Sequence, residues 1–339
     1  MARKPAGKSP SIQTLSPQAA IAGGEIRIHG KGFATGSQPR VLLGHVTAPL
    51  IVGSDSYLIA RVPEDAVDNV LKVESGNLAS TEWACEIGIP IADSIHPVAN
   101  PAVDRNGYIF TTFSGSRGQK TATSVYRVDP HEGPAPFLSD IMNATGLAFD
   151  ADGILYVSSR YDGIIYEVTP RGQMAVYVEG MGVATGITFD AEGNLYVGDR
   201  SGTIFKISRS RQIYVYATLE PSIAAYHLAF GPDGYLYVTG PTTSSFDCVQ
   251  RVSAKGEVEV FYRGLGRPQG LAFDSDDNLY VASSLGGRRG VVRITPDREA
   301  SLFLSGPGVV GLAFSPSGSA IVATNSMLYR VDCAILPRI

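Results

Sequence analysis

Short apolar segments alternate with polar turns along most of the chain, and from residue 100 onward the pattern repeats. A phrase of the type Gly-Leu-Ala-Phe-Asp begins at residues 146, 186, 227, 270 and 311, and a degenerate copy, Asn-Pro-Ala-Val-Asp, begins at 100. The starts are 46, 40, 41, 43 and 41 residues apart. A period of about forty residues with strand-like content is typical of radially repeated β-folds. The pattern therefore predicts six copies of one β-unit.

Each copy predicts four short strands. In the copy that starts at 146, apolar segments at 147–149, 155–157, 164–168 and 174–177 are separated by turns rich in glycine, proline, aspartate and serine. β-Branched and aromatic residues favour strands, and those turn residues favour chain reversals. Four antiparallel strands that bury their faces against the next copy form a propeller blade. We therefore predict a six-bladed β-propeller, with a solenoid of four-strand repeats as the less favoured alternative.

The sequence leaves the closure of the ring open. After the phrase at 311, strand-like segments follow at 312–314, 321–322 and 328–331, which is one strand short of a full blade. The missing outer strand comes either from 334–336 or from the segment before the first copy, 87–95. The pattern does not choose between them.

The phenylalanine of the phrase is expected to pack between blades. It recurs at one repeat position in five copies, as Phe149, Phe189, Phe230, Phe273 and Phe314. Because neighbouring blades bury each other's faces, a recurring aromatic residue at one position predicts a recurring buried contact.

Residues 9–88 lack the repeat. Apolar and polar residues alternate at 26–29, as on a strand with one buried face, and glycines and prolines punctuate the segment. This pattern predicts a small β-sandwich. The successive motifs Pro-x-Ile-x-x-Leu-x-Pro at 10–17, Gly-x-Gly-Phe at 30–33 and Val-Pro at 62–63 resemble the IPT/TIG immunoglobulin-like domain. That resemblance implies a spacer, adhesive or dimerising module, so the predicted fold is an immunoglobulin-like β-sandwich followed by a six-bladed β-propeller.

The first eight residues are basic and are expected to form a flexible tail. They lack the apolar core of a signal peptide. No stretch is long and apolar enough to cross a bilayer, so the sequence as it stands predicts a cytoplasmic protein without membrane contact; export with a removed signal is the alternative.

The net charge of −4 argues against nucleic-acid binding. Cys85, Cys248 and Cys333 show no metal-binding spacing and are expected to be free thiols.

Residues 92–339 resemble known propeller families. Gly193-Asn-Leu-Tyr-Val-Gly-Asp-Arg-Ser-Gly202, preceded by Gly-Ile-Thr-Phe-Asp at 186, looks like an NHL repeat and is similar to the blades of the gluconolactonase and virginiamycin-lyase propellers. These families share the blade phrase and differ in activity, so the resemblance implies the fold and leaves the chemistry to the site residues.

The gluconolactonase resemblance implies a divalent metal at the axis, held by Glu, Asn and Asp side chains next to the inner-strand glycines. The positions before the glycine, or before its replacement, are here Thr145, Thr185, Tyr226, Gln269 and Val310. The first copy offers Asn100 and no glutamate. A hard cation requires several oxygen ligands, some of them carboxylates. We therefore expect no cofactor, and a divalent cation is the alternative.

The lyase resemblance implies a basic histidine near the axis. His96 and His227 are the only histidines near the starts of inner strands, and no carboxylate motif accompanies them. A lone histidine is more often a structural hydrogen-bonding group than a catalyst. No catalytic residue is assigned, and an enzyme, in the form of a gluconolactonase-like hydrolase or lyase with an altered axial site, is the alternative to a binding protein.

Arginine recurs in the loop between the second and third strands of four copies, as Arg117, Arg160, Arg200 and Arg288. Such loops lie on one face of a propeller, so these arginines are expected to converge at its mouth. Arginine binds carboxylates and phosphates through paired donors. The neutral contacts of the mouth are expected from Tyr226, His227, Gln269 and Asn325.

This arrangement predicts a non-enzymatic propeller that binds a small anionic ligand or an acidic segment of a partner protein; the oligomeric state is not predicted. The competing interpretation is that each arginine is structural and pairs with a nearby carboxylate, Arg160 with Asp162 and Arg200 with Asp199. The aspartates that open the inner turns resemble calcium loops, but they lack a downstream glutamate, and turn formation is the favoured interpretation.

Overall fold

The computed structural model describes residues 9–35, 37–244 and 247–338. The predicted basic tail, 1–8, lies outside the described residues. Every regular element in these three ranges is a β-strand, which confirms the predicted all-β class. The same ranges contain no helix that could span a membrane.

The chain forms two compact units. The first holds the described residues up to Ile89 together with Arg288–Val291 and Leu302–Pro307. The second holds Pro90–Gly287, Val292–Ser301 and the described residues from Gly308 onward.

The first unit contains the β-sandwich. Its strands along the first part of the chain are β1 (Ser11–Ser16), β2 (Ala19–Ala20), β3 (Glu25–Lys31), β4 (Pro39–Leu43), β5 (Val46–Ala48), β6 (Leu50–Gly53), β7 (Tyr57–Arg61), β8 (Val70–Ser75), β9 (Leu78–Ala79), β10 (Trp83–Ala84) and β11 (Glu86–Ile87). One sheet has the order β1-β3-β7-β6, and the other has the order β10-β8-β4-β5 with β9 beside β8. Ile26 and Ile28 are buried while His29 is exposed, as the alternation predicts. Burial raises the pKa of the Cys85 thiol to about 12.

The second unit is built on the six-bladed propeller. The strands of blades one to three are β13 (Ala102–Val103), β14 (Ile109–Thr112), β15 (Val125–Asp129) and β16 (Gly133–Leu138); β17 (Ala144–Phe149), β18 (Leu155–Ser159), β19 (Ile164–Val168) and β20 (Met174–Val178); and β21 (Ala184–Phe189), β22 (Leu195–Asp199), β23 (Thr203–Ile207) and β24 (Ile213–Thr218). Within each of these blades the four strands pair in sequence order.

Blades four to six follow the same plan. Their strands are β25 (His227–Phe230), β26 (Leu236–Thr239), β27 (Cys248–Val252) and β28 (Val258–Arg263); β29 (Leu265–Gly266), β30 (Leu271–Phe273), β31 (Leu279–Leu285), β32 (Arg288–Ile294) and β33 (Ala300–Ser305); and β34 (Val309–Phe314), β35 (Ser319–Thr324) and β36 (Leu328–Asp332). The outer strand of blade six is β12 (Ile89–Ala92), which pairs with β36. Of the two segments that the sequence leaves open, the one before the first copy closes the ring.

The other candidate for closure, 334–336, follows a different course. The carbonyl of Leu336 accepts a hydrogen bond from the backbone N–H of Ser275, and Pro337 forms an isolated bridge with Asp274. This segment therefore contacts the inner turn of blade five.

Aspartates open the turns between first and second strands. Oδ1 of Asp150 accepts hydrogen bonds from the backbone N–H groups of Asp152 and Ile154, each 2.9 Å long, and Gly153 completes the turn at a φ of 80°. Asp104 and Asp274 accept the equivalent pairs. This is turn chemistry, as the sequence predicts.

In blade three the same aspartate has further donors. The second carboxylate oxygen of Asp190 accepts hydrogen bonds from Asn194 Nδ2 at 2.8 Å and from the Tyr196 hydroxyl at 3.1 Å. Burial alone would raise the pKa of Asp190, but these hydrogen bonds and the charge of Lys206 outweigh it and hold the pKa below its usual value.

Aromatic rings join neighbouring blades. Edge-to-face pairs with centroids 4.9–5.4 Å apart join Phe110 to Phe149, Tyr156 to Phe189, Tyr196 to Phe230, Tyr237 to Phe273, and Tyr280 to Phe314. The five phenylalanines are thus equivalent, as the repeat predicts. Only Phe273 and Phe314 are fully buried, and the other three are half-buried. Each is the last residue of its inner strand, next to the turn between the first and second strands.

Candidate functional site: the loop face of the propeller

The loop face is the end of the propeller formed by the loops between second and third strands and by the connections between blades. Backbone hydrogen bonds tie these two kinds of loop together: Arg160 N–H donates to the Asn143 carbonyl, Arg200 N–H donates to the Val183 carbonyl, and Ser222 N–H donates to the Arg200 carbonyl. The backbone of Arg160 and Arg200 is therefore fixed at equivalent positions of adjacent blades.

Arg160 and Arg200 form the electrostatic centre of this face. Arg160 is half-buried, and its pKa is lowered first by burial and then by the positive charge of Arg200. Arg200 Nε donates to the Ser222 carbonyl at 3.1 Å. Neither side chain makes an ion pair with a carboxylate in the described part of the chain. Two cations therefore lie near each other without a counter-charge, which is unfavourable until an anion approaches.

The carboxylates nearest in sequence to these arginines have other partners. Oδ1 of Asp162 accepts the backbone N–H of Ile164 at 3.3 Å. Oδ1 of Asp199 accepts the N–H groups of Val183 and Ser201 at 2.9 and 3.2 Å. The pairs of Arg160 with Asp162 and of Arg200 with Asp199, which the competing interpretation requires, are absent from the described residues.

Arg117 lies in the adjacent loop of blade one and is exposed. Asn143, which is buried and has a φ of 54°, holds this loop: its Nδ2 donates to the carbonyls of Gly115 and Ser116, and its Oδ1 accepts the N–H of Gly118. A Cβ built on Gly118 would lie 3.2 Å from the Tyr161 ring. Arg117 is thus held in the loop that contacts the residue following Arg160.

The sequence interpretation missed Asn143. Its side chain satisfies three backbone groups of a neighbouring loop, but nothing in the repeat marks it, because the equivalent position in the next blade is Val183. The available signal was an asparagine directly before an inner strand, since asparagine is enriched at left-handed backbone positions.

Two of the predicted site residues have hydrogen bonds to other parts of the chain. Arg288 belongs to the first unit, where it donates to the carbonyl and the hydroxyl of Ser16. Asn325 is exposed, its carbonyl lies 3.0 Å from Nδ1 of His96, and its N–H donates to the Gly308 carbonyl.

Two of the predicted neutral contacts, Tyr226 and Gln269, have backbone hydrogen bonds to neighbouring strands. Tyr226 is buried, its N–H donates to Thr185 Oγ1 at 3.1 Å, and its hydroxyl donates to the Glu220 carbonyl. Burial raises the pKa of Tyr226 to about 12. The N–H of Gln269 donates to Ala282, and its carbonyl accepts the Thr239 hydroxyl.

His227 stands where four other blades carry glycine. A Cβ on Gly186 would lie 2.4 Å from the Tyr226 carbonyl oxygen, and one on Gly311 would lie 2.6 Å from the Ala99 carbonyl oxygen. Close approach of inner strands therefore requires glycine at those positions. His227 is buried, and desolvation lowers its pKa to about 4. Its ring is neutral near pH 7 and is a weak base.

The residues at the axis do not fit the metal site that the gluconolactonase resemblance implies. Thr145 and Thr185 donate their hydroxyls to the carbonyls of Asn143 and Gly198, at 3.0 and 2.8 Å, and so stabilise the backbone. No group of three or more histidine, cysteine, aspartate or glutamate side chains in the described ranges could hold a metal ion.

Comparison with known proteins identifies the first domain and the fold. Residues 10–81 match the model of the IPT/TIG domain family. No curated protein matches the sequence.

Several solved structures are similar to the chain. A candidate gluconolactonase is 16% identical, covers 76% of this chain and 95% of its own, and has a TM-score of 0.63. An auxiliary nutrient-binding protein from Bacteroides thetaiotaomicron is 11% identical over 96% and 98% of the two chains, with a TM-score of 0.56. A catalytically inactive virginiamycin B lyase from Staphylococcus aureus, solved with quinupristin, is 13% identical over 98% and 97%, with a TM-score of 0.53. At these identities the similarity shows the fold alone: the chain has an IPT/TIG-type segment and a β-propeller related in structure to gluconolactonase-like, nutrient-binding and lyase propellers.

Proposed function

We propose that the propeller is a non-enzymatic binding module whose loop face holds an anionic group, either of a small ligand or of an acidic partner segment. The observation that carries the proposal is the pair Arg160 and Arg200: burial and the charge of Arg200 lower the pKa of Arg160, and neither side chain has a carboxylate partner in the described residues. A carboxylate or phosphate bound between them would relieve this repulsion and accept charge-assisted hydrogen bonds.

The half-buried position of Arg160 strengthens the case. Desolvation makes an unpaired charge costly, and a partly enclosed charge attracts an anion more strongly than a fully solvated one does. The neighbouring Tyr161 is 54% exposed, so the loops offer an aromatic surface next to the charged pair. Such a combination of a few fixed polar groups and an apolar surface is typical of binding sites.

The test is binding of small polyanions by isothermal titration calorimetry, with inorganic phosphate and citrate as probes. The double variant Arg160→Gln/Arg200→Gln removes both cations. The matched control is Arg171→Gln, which removes an exposed arginine from a turn between third and fourth strands, on the opposite face. We expect citrate to bind the parent and the control, and the affinity to fall at least about tenfold in the double variant.

Salt provides a second readout. Exposed charges are screened over about 10 Å at 0.1 M salt, so the affinity of the parent should fall as salt rises, whereas residual binding by the double variant should change little. Equal affinity in the parent and the double variant would contradict the proposal. Chelator-sensitive hydrolysis of a lactone by the parent would contradict its non-enzymatic character.

A further inference from the structure

The contact between blade six and blade one, which we call the sixth joint, lacks the aromatic rings of the other five. At the position of Tyr156, Tyr196, Tyr237 and Tyr280, blade six has Ile321. At the position of the inner-strand phenylalanine, blade one has Val103. Ile321 is in a cluster whose buried members are all aliphatic, and Val103 packs against it, as do the partly buried Phe113 and Tyr126. The sixth joint therefore has less side-chain volume between its blades.

A cleft of about 720 Å³ lies at the sixth joint, on the side opposite the loop face. Its walls are the turns at 105–107, 129–131 and 315–317, and its floor includes Ile109 and Ile321. The equivalent place between blades four and five, which keeps Tyr237, Phe261 and Phe273, has a volume of only about 220 Å³. The joint between blades four and five therefore shows how aromatic side chains fill the space that is open at the sixth joint.

The arginine in the wall of the cleft lacks the partners of its counterpart. Arg330 is the cross-strand neighbour of Ile321, as Arg251 is of Tyr237. Arg251 contacts Asp233 at 2.8 Å and lies over the rings of Tyr235 and Phe261, 4.5 and 5.6 Å from their centroids.

Around Arg330 these groups are missing. Ser317 stands at the repeat position of Asp233, and its hydroxyl forms a hydrogen bond with that of Ser315 at 2.8 Å. Arg330 forms an ion pair with Asp332, with Nε 3.3 Å from Oδ1, whereas Arg251 pairs with two carboxylates, those of Asp233 and Glu259. Asp332 Oδ1 also accepts the Ser319 hydroxyl at 2.7 Å. The guanidinium of Arg330 therefore lines the cleft beside Ile109 and Ile321 with one carboxylate partner fewer than its counterpart.

We propose that the cleft of the sixth joint binds a small aromatic carboxylate. Its ring would occupy the space that tyrosine and phenylalanine fill in the other joints. Its carboxylate would contact Arg330 as Asp233 contacts Arg251. Planar pairing and stacking with arginine favour a flat anion over a tetrahedral or aliphatic one. This site lies on the opposite face from Arg160 and Arg200 and does not depend on the function proposed for them.

The test is saturation-transfer NMR and calorimetry on the whole chain with benzoate and phenylacetate. Cyclohexanecarboxylate and benzyl alcohol test the need for the ring and for the charge. Ile321→Tyr restores the residue of the other blades and fills the cleft, and Arg330→Gln removes the cation. Arg293→Gln is the matched control, because Arg293 occupies the same repeat position in blade five and is exposed.

We expect the aromatic acids to bind the parent, Arg293→Gln and Arg160→Gln/Arg200→Gln alike, and to bind Ile321→Tyr and Arg330→Gln at least about tenfold more weakly. If Ile321→Tyr fails to fold by circular dichroism, Arg330→Gln decides. Absence of binding up to roughly 10 mM, equal binding of the two control ligands, or unchanged binding in Arg330→Gln would overturn the proposal. Loss of binding only in the Arg160/Arg200 double variant would overturn it too, since the acids would then occupy the loop face.

Discussion

Removal of one aromatic ring between blades provides a quantitative test of the repeat architecture. Phe189→Ala deletes a half-buried ring whose centroid lies 4.9 Å from that of Tyr156, and Phe314→Ala deletes a ring that is 5% exposed and equally close to Tyr280. Truncation of a core phenylalanine costs about 3–5 kcal/mol. We expect that range for Phe314→Ala, and about 2–3 kcal/mol for Phe189→Ala because part of its surface already contacts solvent.

Urea unfolding followed by far-UV circular dichroism measures these free energies. Trp83, the only tryptophan, lies in the first unit, so its fluorescence reports that unit separately and shows whether the transition is two-state. A double-mutant cycle with Tyr156→Leu and Phe189→Leu should give a coupling energy of about 0.5–1.5 kcal/mol, the value typical of edge-to-face pairs.

Two results would refute the reasoning. Equal stability of Phe189→Ala and the parent would show that the repeat position does not carry blade packing. A coupling energy of zero between Tyr156 and Phe189 would show that burial alone, without ring geometry, accounts for the loss.

Three further predictions follow from individual contacts. Arg160→Gln should raise the free energy of unfolding of the ligand-free protein at low salt, by roughly 0.5 kcal/mol, because it removes repulsion with Arg200; denaturant unfolding at two salt concentrations checks this, and a loss of stability would contradict it. Gly186→Ala should cost about 1–3 kcal/mol or more, since its Cβ would meet the Tyr226 carbonyl oxygen; an unchanged melting temperature would contradict the close approach of inner strands. The folded-state pKa of Asp190 is depressed, so its contribution is present above the unfolded pKa and is lost as pH falls through the folded value; Asp190→Asn should therefore destabilise the protein at pH 7 and flatten the acid dependence of stability, and parallel pH profiles would contradict this.

The repeat predicted the fold because each blade must satisfy the same packing demands. A glycine where inner strands touch, an aspartate where a turn needs a side-chain acceptor, and a phenylalanine where blades meet are set by local geometry, so they recur with the period and can be read without coordinates. The closing strand β12 could not be predicted this way. It lies outside the period, and strand pairing between distant segments depends on the whole ring.

The sequence indicates which loops carry the candidate site residues, but it does not indicate the directions of their side chains. Sequence position alone placed Arg160, Arg200 and Arg288 in equivalent loops, but Arg288 lies at the start of β32 and donates to Ser16. Tyr226 was expected to line the mouth, yet its ring belongs to a hydrophobic cluster. A loop position fixes which face a residue is near, and the contacts of its neighbours decide where its side chain goes.

A residue that differs from the repeat suggests a function only where its side chain has no structural role. Asn100 departs from the glycine of the phrase, but its Nδ2 donates to the Leu271 carbonyl at 2.8 Å and its Oδ1 accepts the Leu312 N–H at 3.1 Å. That side chain bridges blades five and six at the axis, so its role is structural and no ligand is needed to explain it. Arg160 and Arg330 differ in this respect: one is half-buried beside a second cation, and the other lines an open cleft with one carboxylate partner where its counterpart Arg251 has two. These are therefore the two places on the propeller where we propose that ligands bind, because arginine side chains with free donors bind carboxylates.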